Sequence, residues 1–247
     1  MRWFFLLALA LFSSCSCGHQ SRRGLLRIGV DPSWYPLNFE ELQAYVNGYT
    51  EDLLLEISRY EGLAFEKVPA NWDTLFEGMH EGKYDAILSS MPPYAFNAAR
   101  FDFSENFLEL GPVLITSSDA SYRELSQLSG ELVGVLSSNP AVLLVEKYPK
   151  VIVRNYPSIP DTLNAIVNGE IEAAVLDRLP AVNFVRDLYI GKLKVASGPL
   201  NEFGLHLVAP KGKAEKLLRA FNNALGNFKK KKKLEAFQQK WNLRESS

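Results

Sequence analysis

The sequence predicts an α/β protein made of two units in which short apolar strands alternate with amphipathic helices. In the first unit the apolar runs LLRIGV, AFEKV and YDAILSS are separated by two segments of helical length. The same rhythm returns in the second unit with ELVGVL, VIVRNY, EAAVL and KLKVAS. Strand–helix–strand repetition favours mostly parallel sheets flanked by helices, because parallel neighbours need a crossover connection between them.

Local signals place the ends of the helices. We expect TEDLLLEISRYEG to form a helix that Thr50 caps and Gly62 ends, and NWDTLFEGMHEG to form one between Asn71 and Gly82. In the second unit PAVLLVEKY, DTLNAIVNG and LPAVNFVRDLY are the predicted helices. A last strand, GLHLVAP, precedes a long helical region over about residues 214–241.

No long linker separates the two units, which indicates two lobes joined by extended segments. The candidate crossover segments lie near residues 110–116 and 196–203. Ligands of open α/β sheets bind beyond the carboxyl ends of the strands. Two such lobes would face each other across a cleft that closes by hinge motion.

Composition argues against several classes of function. The 247 residues include 27 Lys and Arg against 28 Asp and Glu, and this balance favours no nucleic-acid partner. His19, His80 and His206 are scattered without metal-ligand spacing, and no G-x-S-x-G turn or glycine-rich phosphate loop is present. We therefore expect no metal and no cofactor, although a lone carboxylate could still abstract a proton.

Residues 1–17 have the pattern of a secretory signal. MRWFFLLALALF joins one early arginine to an apolar run too short to span a bilayer, and the small residues SSCSCG follow. FSSC resembles a bacterial lipobox, so Cys15 is the predicted lipid acceptor. Cys17 is the second candidate for the lipid acceptor. The alternative to lipidation is ordinary cleavage of the signal after Cys17. Both cysteines lie here, so no disulfide is available to the rest of the chain.

Polar residues follow four of the predicted strands, at the edge where a cleft site would lie. They are DPSWYP (31–36), SSMPPY (89–94), SSNP (137–140) and Asp177. Each has an ordinary structural explanation as well. Asp177 could cap the following helix, the serines could be turn residues, and Trp34 and Trp72 could be core aromatics. The coincidence of four such sites favours a ligand-binding cleft.

Several segments together resemble the polar amino-acid branch of the bacterial solute-binding proteins, the extracytoplasmic receptors of ABC importers. The resemblance rests on LRIGVDPSWYPLNF, NGYTEDLLLEI, NWDTLFEGMHEGKYDAILSSM, FDFSENF, NGEIEAAVLD and EAFQQKWNL, and runs from about Leu25 to Leu243. It implies the two-lobed fold of type II periplasmic binding proteins with two crossover hinge segments. The lobes would be residues 25–113 with 203–243, and residues 114–202.

The resemblance implies roles for residues at the matching positions. Trp34 stands where an aromatic stacks on the ligand, and Trp72 where an aromatic or leucine lines the pocket. Asp177 stands where a carboxylate receives the ligand's α-ammonium, and Asp31 where an aspartate approaches the side chain of basic ligands. The implied ligand-binding set is completed by Ser89, Ser90 and Ser138.

The family pattern fails at one position. An arginine usually stands five residues before the aspartate of FDFS and clamps the ligand's α-carboxylate; Asn97 stands there instead. Two interpretations remain open. Arg100 supplies the charge from another angle, or the ligand lacks an α-carboxylate and Asp31 and Asp177 select a cationic amine. Asn97 and Arg100 both remain candidate ligand-binding residues.

We therefore expect a periplasmic binding protein rather than an enzyme, monomeric, possessing a possible lipid anchor and delivering a small amino-acid-like solute to an ABC permease. One alternative is an enzyme on the same scaffold, similar to dehydratases of a cyclic carboxylic acid. Such an enzyme needs cationic groups for its substrate, and this chain lacks one at the usual position. A further alternative is a sensor or scavenger without a transporter.

Overall fold

The computed structural model describes residues 25–35, 37, 39–137 and 139–244, and it has two β-sheets with helices on their faces. The predicted fold class is confirmed. The first sheet contains β1 (Leu25–Val30), β2 (Ala64–Pro69), β3 (Ala86–Ser89), β4 (Phe101–Phe103), β5 (Leu108–Glu109) and β11 (Gly204–Pro210). The second contains β6 (Val113–Ser117), β7 (Leu132–Leu136), β8 (Ile152–Tyr156), β9 (Ala173–Leu176) and β10 (Leu193–Val195).

Each sheet has a parallel part and an antiparallel part. The first sheet has the order β2-β1-β3-β11-β4, in which β1, β2 and β3 are parallel and β11 is antiparallel to its neighbours. The second has the order β10-β6-β9-β7-β8, in which β7, β8 and β9 are parallel and β6 is antiparallel to its neighbours. The expected parallel character thus holds for three strands of each sheet. β6 and β11 enter from crossover segments rather than through a helix, so no crossover forces them to be parallel.

Eight α-helices cover the sheets in the described part of the chain. Their bounds are α1 (Gln43–Glu61), α2 (Trp72–His80), α3 (Ala95–Ala98), α4 (Val142–Val145), α5 (Ile159–Val167), α6 (Arg178–Leu188), α7 (Glu215–Lys230) and α8 (Lys233–Lys240). Buried side chains of α1 and α7 pack on one face of the first sheet, and those of α2 pack on the other.

Several predicted helix ends are confirmed, but the start of α1 is wrong, and α4 is shorter than the predicted helix PAVLLVEKY. Asn71 caps α2 through a hydrogen bond from Thr74 N–H to Asn71 Oδ1, at 3.1 Å. Gly62 ends α1 in the left-handed conformation with φ 65°. Thr50, however, lies inside α1 and donates its hydroxyl to the carbonyl of Val46, so it is not the cap. The helix begins earlier because Val46 and Tyr49 extend its buried face.

The predicted C-terminal helical region is divided into α7 and α8. The break lies within the lysine run, where Lys232 has a left-handed backbone with φ 56°. The Lys233 ammonium then pairs with Glu56 of α1, and Lys240 pairs with Asp52 of the same helix. The C-terminal segment is therefore tied to α1 in the first lobe.

The two crossover segments run side by side between the sheets. Leu110 and Gly111 both donate their N–H groups to the carbonyl of Phe203, at 2.9 and 3.0 Å. Leu200 N–H donates to the carbonyl of Pro112 at 2.8 Å. A β-carbon added at Gly111 would lie 2.6 Å from the backbone oxygen of Asn201, so this close approach requires glycine. Val113, the last residue expected in the first lobe, already pairs with Leu176 in the second sheet.

Helix α6 of the second sheet also contacts the first lobe. Arg178 Nη1 donates to the carbonyl of Glu109 at 3.2 Å, and Arg186 Nη1 donates to the carbonyl of Asn242 at 3.0 Å. Leu179 is buried in the core that contains α1 and α7. Among the described residues, no helix is long and apolar enough to cross a bilayer.

Candidate functional site

A small, partly open recess lies at the carboxyl ends of β1 and β3. This is the edge where polar loops were expected from the sequence. The described residues that line it are Asp31, Trp34, Tyr35, Trp72, Leu75, Leu88, Ser89 and Ser90. Five of the predicted ligand-binding residues are therefore brought together in one place, all of them from the first lobe.

The loop after β1 holds a buried carboxylate in the recess. Asp31 is only 7% exposed, and its Oδ1 accepts hydrogen bonds from the N–H and the hydroxyl of Ser33, at 2.8 and 2.6 Å. Among the described residues that line the recess, Asp31 is the one with a charged side chain. A carboxylate in an otherwise apolar and hydroxyl-lined recess favours a cation or a hydrogen-bond donor as its partner.

Helix α1 fixes the conformation of this loop. Asn47 Oδ1 accepts a hydrogen bond from Trp34 Nε1 at 2.7 Å, while Asn47 Nδ2 and Gln43 Nε2 donate to the carbonyl of Pro32. Trp34 is 3% exposed and has a left-handed backbone with φ 59°. Such a backbone is costly for a bulky residue and persists only where surrounding contacts impose it.

The aromatic residues that line the recess differ in exposure. Trp34 was expected to stack on the ligand, yet its ring is mostly committed to the protein core. Its neighbour Tyr35 is 58% exposed and packs edge-on against Trp72 at a centroid distance of 5.9 Å. Sequence reasoning missed Tyr35, although it is the second aromatic residue of DPSWYP.

Ser89, the last residue of β3, and Ser90, which follows it, both line the recess. Ser89 and Ser90 are both buried, and Ser89 Oγ accepts a hydrogen bond from Met91 N–H at 3.1 Å. This bond bends the chain away from the strand and leaves a hydroxyl at the strand end. Their positions agree with the expected ligand-binding role, which remains a prediction.

Asn97 and Arg100 do not line the recess. Asn97 Nδ2 donates to the carbonyl of Pro92 at 2.8 Å and so closes the proline-containing loop. The Arg100 guanidinium is exposed and lies over the ring of Phe101, with Cζ 5.4 Å from the ring centroid. In this conformation Asn97 holds the loop and Arg100 stacks on a strand residue.

Asp177 lies at the carboxyl end of β9 in the second lobe. Its side chain makes no capping hydrogen bond to α6; instead, Oδ2 accepts a hydrogen bond from Asn139 Nδ2 at 2.9 Å. Burial raises the pKa of the Asp177 carboxyl above its usual value, and the Asn139 hydrogen bond offsets part of that increase. The next residue, Arg178, contacts the Glu109 carbonyl, so Asp177 lies where the second lobe meets the first.

Three of the sequence predictions fall outside the described residues: the signal segment 1–17, the lipid acceptor Cys15, and Ser138. Within the described part of the chain, no group of three or more His, Cys, Asp and Glu side chains is arranged to hold a metal ion.

Known proteins share this architecture and sequence pattern. The sequence matches the family of bacterial extracellular solute-binding proteins, family 3, over residues 26–244. The L-cystine-binding protein TcyJ of Escherichia coli strain K12 is 23% identical over 222 residues, covering 89% of this chain and 83% of the relative. The arginine-binding extracellular protein ArtP of Bacillus subtilis strain 168 is 23% identical over 264 residues, covering 97% of each.

The fold is similar to that of solved receptor structures. The L-cystine solute receptor of Neisseria gonorrhoeae, in its unliganded open conformation, has a TM-score of 0.70 and 17% identity, covering 88% of this chain and 92% of that chain. The resemblance expected from the sequence motifs is thereby confirmed. Because the match extends over residues 26–244, the chain belongs to family 3 of the bacterial extracellular solute-binding proteins.

Proposed function

We propose that this protein captures a small solute with a cationic amine between its two lobes and delivers it to the permease of an ABC importer. The observation that carries the proposal is the position of Asp31, a buried carboxylate in a recess lined otherwise by aromatic, aliphatic and hydroxyl groups. An ammonium group would be bound there by charge and by hydrogen bonds to carboxylate and hydroxyl oxygens.

Two further features support an amine as the recognised group. Asp177 supplies a second carboxylate where the second lobe meets the first; burial raises its pKa, and the hydrogen bond from Asn139 offsets part of that increase. Tyr35 and Trp72 add ring surfaces at the recess, which can hold a cation or the apolar stem of a ligand. The relatives named above include an arginine-binding and a cystine-binding protein, both of them receptors for amino acids.

The position of Arg100 favours one of the two interpretations that the sequence left open. Its guanidinium lies over Phe101 and outside the recess, and Asn97 is engaged with the Pro92 carbonyl. The cationic clamp for an α-carboxylate therefore has no substitute among the described residues of the recess. We infer that the amine, rather than an α-carboxylate, provides most of the ligand's binding energy.

Calorimetry with matched pairs of ligands tests this proposal. L-arginine and agmatine share the guanidinium stem but differ in the α-carboxylate, as do L-lysine and cadaverine. We expect each decarboxylated compound to bind within about 3-fold of its parent, since no charge partner for the carboxylate is lost, and about 3-fold is under 1 kcal/mol.

Arginine variants complete the test. Arg100→Ala should leave every affinity within about 2-fold of wild type, and Arg219→Ala, which removes an exposed side chain of α7, is the matched control. A loss of about 10-fold or more for the amino acids alone, in Arg100→Ala, would instead assign the clamp to Arg100. Absence of binding by all four compounds would contradict the proposed ligand class.

Ligand capture is proposed to involve closure of two lobes, residues 25–113 with 203–243 and residues 114–202. The paired crossover segments supply the hinge, and a ligand that contacts Asp31 and Asp177 together would favour the closed state. A change in radius of gyration on addition of agmatine, measured by small-angle scattering, tests closure. An unchanged radius at saturating ligand would contradict it.

We also propose that the apolar signal at the start of the chain directs export, and that cleavage just before Cys15 leaves this cysteine as the lipid-modified N-terminus. The apolar run and the FSSC segment support this assignment. Mass spectrometry of the mature N-terminus is the test: a diacylated cysteine is expected, and an unmodified Cys15 would remove the anchor from the proposal.

Binding rather than catalysis is proposed, and a thermal-shift screen separates the two. A compound that binds the folded state raises the melting temperature, by mass action. Each stabilising compound is then incubated with the protein and followed by NMR. Recovery of unchanged compound is expected, whereas turnover would favour the enzyme alternative.

A further inference from the structure

The buried histidine of the first sheet, His206, has one ring nitrogen that no protein group satisfies. It is 5% exposed, and its Nδ1 lies 3.0 Å from the carbonyl oxygen of Ser104. A carbonyl oxygen only accepts hydrogen bonds, so Nδ1 carries the proton and Nε2 presents a lone pair. Nε2 has no hydrogen-bond partner among the residues that the structure describes.

His206 is the cross-strand neighbour of the recess serine Ser89. In the antiparallel pair of β3 and β11, Ile87 lies opposite Val208, and Ser89 lies opposite His206. Ile87 and Val208 share one hydrophobic cluster with residues of α2. Because side chains alternate between the faces of a sheet, Ser89 and His206 lie on that same face, with β-carbons about 4.5–5.5 Å apart.

The proton of the Ser89 hydroxyl is available to form a hydrogen bond. Its oxygen accepts a hydrogen bond from Met91 N–H, and no acceptor for its proton lies within hydrogen-bond distance in the described residues. An acceptor nitrogen on one strand thus lies opposite an available hydroxyl proton on its neighbour. Burial lowers the pKa of His206, with Glu202 as the nearby charge that acts in the opposite direction, so the imidazole is neutral at pH 7.

We propose that His206 is a specificity-determining positioning residue: its Nε2 accepts the Ser89 hydroxyl proton when ligand binds, which turns the free lone pair of Ser89 toward the ligand. Ser89 Oγ and the Asp31 carboxylate, which both line the recess, then present acceptors to the ligand. An ammonium donor is favoured next to these two acceptors, and a carboxylate in the same place is disfavoured by the Asp31 charge. This inference rests on the proposed amine-binding function.

Two single substitutions of His206 distinguish the roles of its two ring nitrogens. Asn at this position retains a donor near Nδ1 for the Ser104 carbonyl, and Gln can place an acceptor oxygen near Nε2. We expect His206→Asn to weaken agmatine binding about 5- to 10-fold, which corresponds to the loss of one hydrogen bond. We expect the separate variant His206→Gln to bind agmatine within about 2-fold of wild type. Equal losses in the two variants would indicate a purely structural histidine and would overturn the proposal.

A double-mutant cycle tests whether His206 acts through Ser89. In a Ser89→Ala background, His206→Asn should change agmatine affinity by less than about 2-fold, because the hydroxyl it orients is gone. An undiminished effect in that background would overturn the proposal. A loss of affinity for L-arginine and agmatine that is explained entirely by a lower melting temperature of the His206→Asn protein would overturn it as well.

A ligand-free measurement keeps this inference separate from the proposed function. In ¹⁵N-labelled wild-type protein at pH 7.5, long-range ¹H–¹⁵N spectra report the tautomer of each imidazole, with His80→Gln and His206→Gln used for assignment. A neutral His206 protonated on Nδ1 is expected. Protonation on Nε2, or on both nitrogens, would overturn the inference even if agmatine binds, whereas failure of agmatine to bind with the expected tautomer would contradict the amine-binding function alone.

Discussion

Asp31 and Asp177 are carboxylates at the carboxyl ends of strands, β1 in the first lobe and β9 in the second, yet their surroundings differ. Asp31 is held by two hydrogen bonds from Ser33, one from an N–H and one from a hydroxyl. Asp177 accepts one hydrogen bond, from Asn139, and its burial raises its pKa. The first carboxylate is stabilised within its own loop, whereas the second carries an electrostatic cost that a bound cation would relieve.

This difference suggests a division of labour between the lobes. The first lobe provides a preformed recess, since α1 fixes the Asp31–Tyr35 loop through Asn47 and Gln43. A preformed site lowers the ordering cost of binding. The second lobe provides a poorly compensated carboxylate, which gains most from the ligand and so favours closure over it.

The largest expected effect is on affinity and involves Asp177. Asp177→Asn should weaken agmatine binding by about 100-fold, near the lower end of the 2–5 kcal/mol range for truncating one member of a buried charge pair. Asp31→Asn should cost less, about 10- to 30-fold, because Ser33 still holds the side chain at the recess. Isothermal titration calorimetry at pH 7.5 measures both. A larger loss for Asp31→Asn would reverse the assigned roles.

The same two substitutions should have opposite effects on the stability of the unliganded protein. Asp177→Asn removes a partly buried charge and keeps an oxygen that accepts from Asn139, so the Tm should rise by about 2–4 °C, the shift for ~1 kcal/mol in a chain of this size. Asp31→Asn replaces charge-assisted hydrogen bonds by neutral ones, so the Tm should fall by a similar ~2–4 °C.

Differential scanning calorimetry of both variants without ligand provides the measurement, and Glu146→Gln, at an exposed position directly after α4, is the control. A fall in Tm for Asp177→Asn would mean that a favourable partner for this carboxylate already exists in the free protein.

Features of the structure that depend on nearby residues could be predicted from the sequence. Strand ends and helix caps depend on neighbouring residues, and Asn71 and Gly62 are accordingly found at the expected ends of α2 and α1. The predicted start of α1 was wrong because the Thr50 hydroxyl donates to a carbonyl within the helix and does not cap its end. The helix extends past Thr50 because Val46 and Tyr49 are buried.

The site was predictable to the level of which loops form it. Asp31, Ser89 and Ser90 lie in the recess because carboxyl ends of parallel strands share one edge of a sheet. The orientation of the aromatics was not predictable, since the left-handed backbone of Trp34 depends on contacts with α1 that are distant in sequence. The orphaned nitrogen of His206 depends on strand register in the same way.

A smaller effect is expected from the partner of Asp31. Ser33→Ala removes the hydroxyl that donates to Asp31 Oδ1 at 2.6 Å but keeps the backbone N–H that donates to the same oxygen. Agmatine affinity should fall by about 3- to 5-fold, the loss of one hydrogen bond that orients the carboxylate. The Tm gain of Asp177→Asn should be unchanged when the two substitutions are combined, because the lobes contribute separately. A non-additive Tm would show that the two carboxylates are coupled in the free protein.

The smallest effect is a pH dependence of the Tm difference between wild type and Asp177→Asn. Because the folded-state pKa of Asp177 lies above its unfolded value, the folded protein binds more protons than the unfolded chain as the pH falls through that range. Wild type therefore recovers stability on acidification, and the advantage of Asp177→Asn at pH 7 should shrink steadily toward pH 4. Asp31→Asn measured over the same range shows whether this behaviour belongs to the second lobe. A Tm advantage that grows on acidification would mean that the folded state lowers the pKa of Asp177. In that case Asp177 would carry no electrostatic cost in the free protein, and the two carboxylates would not differ in this respect.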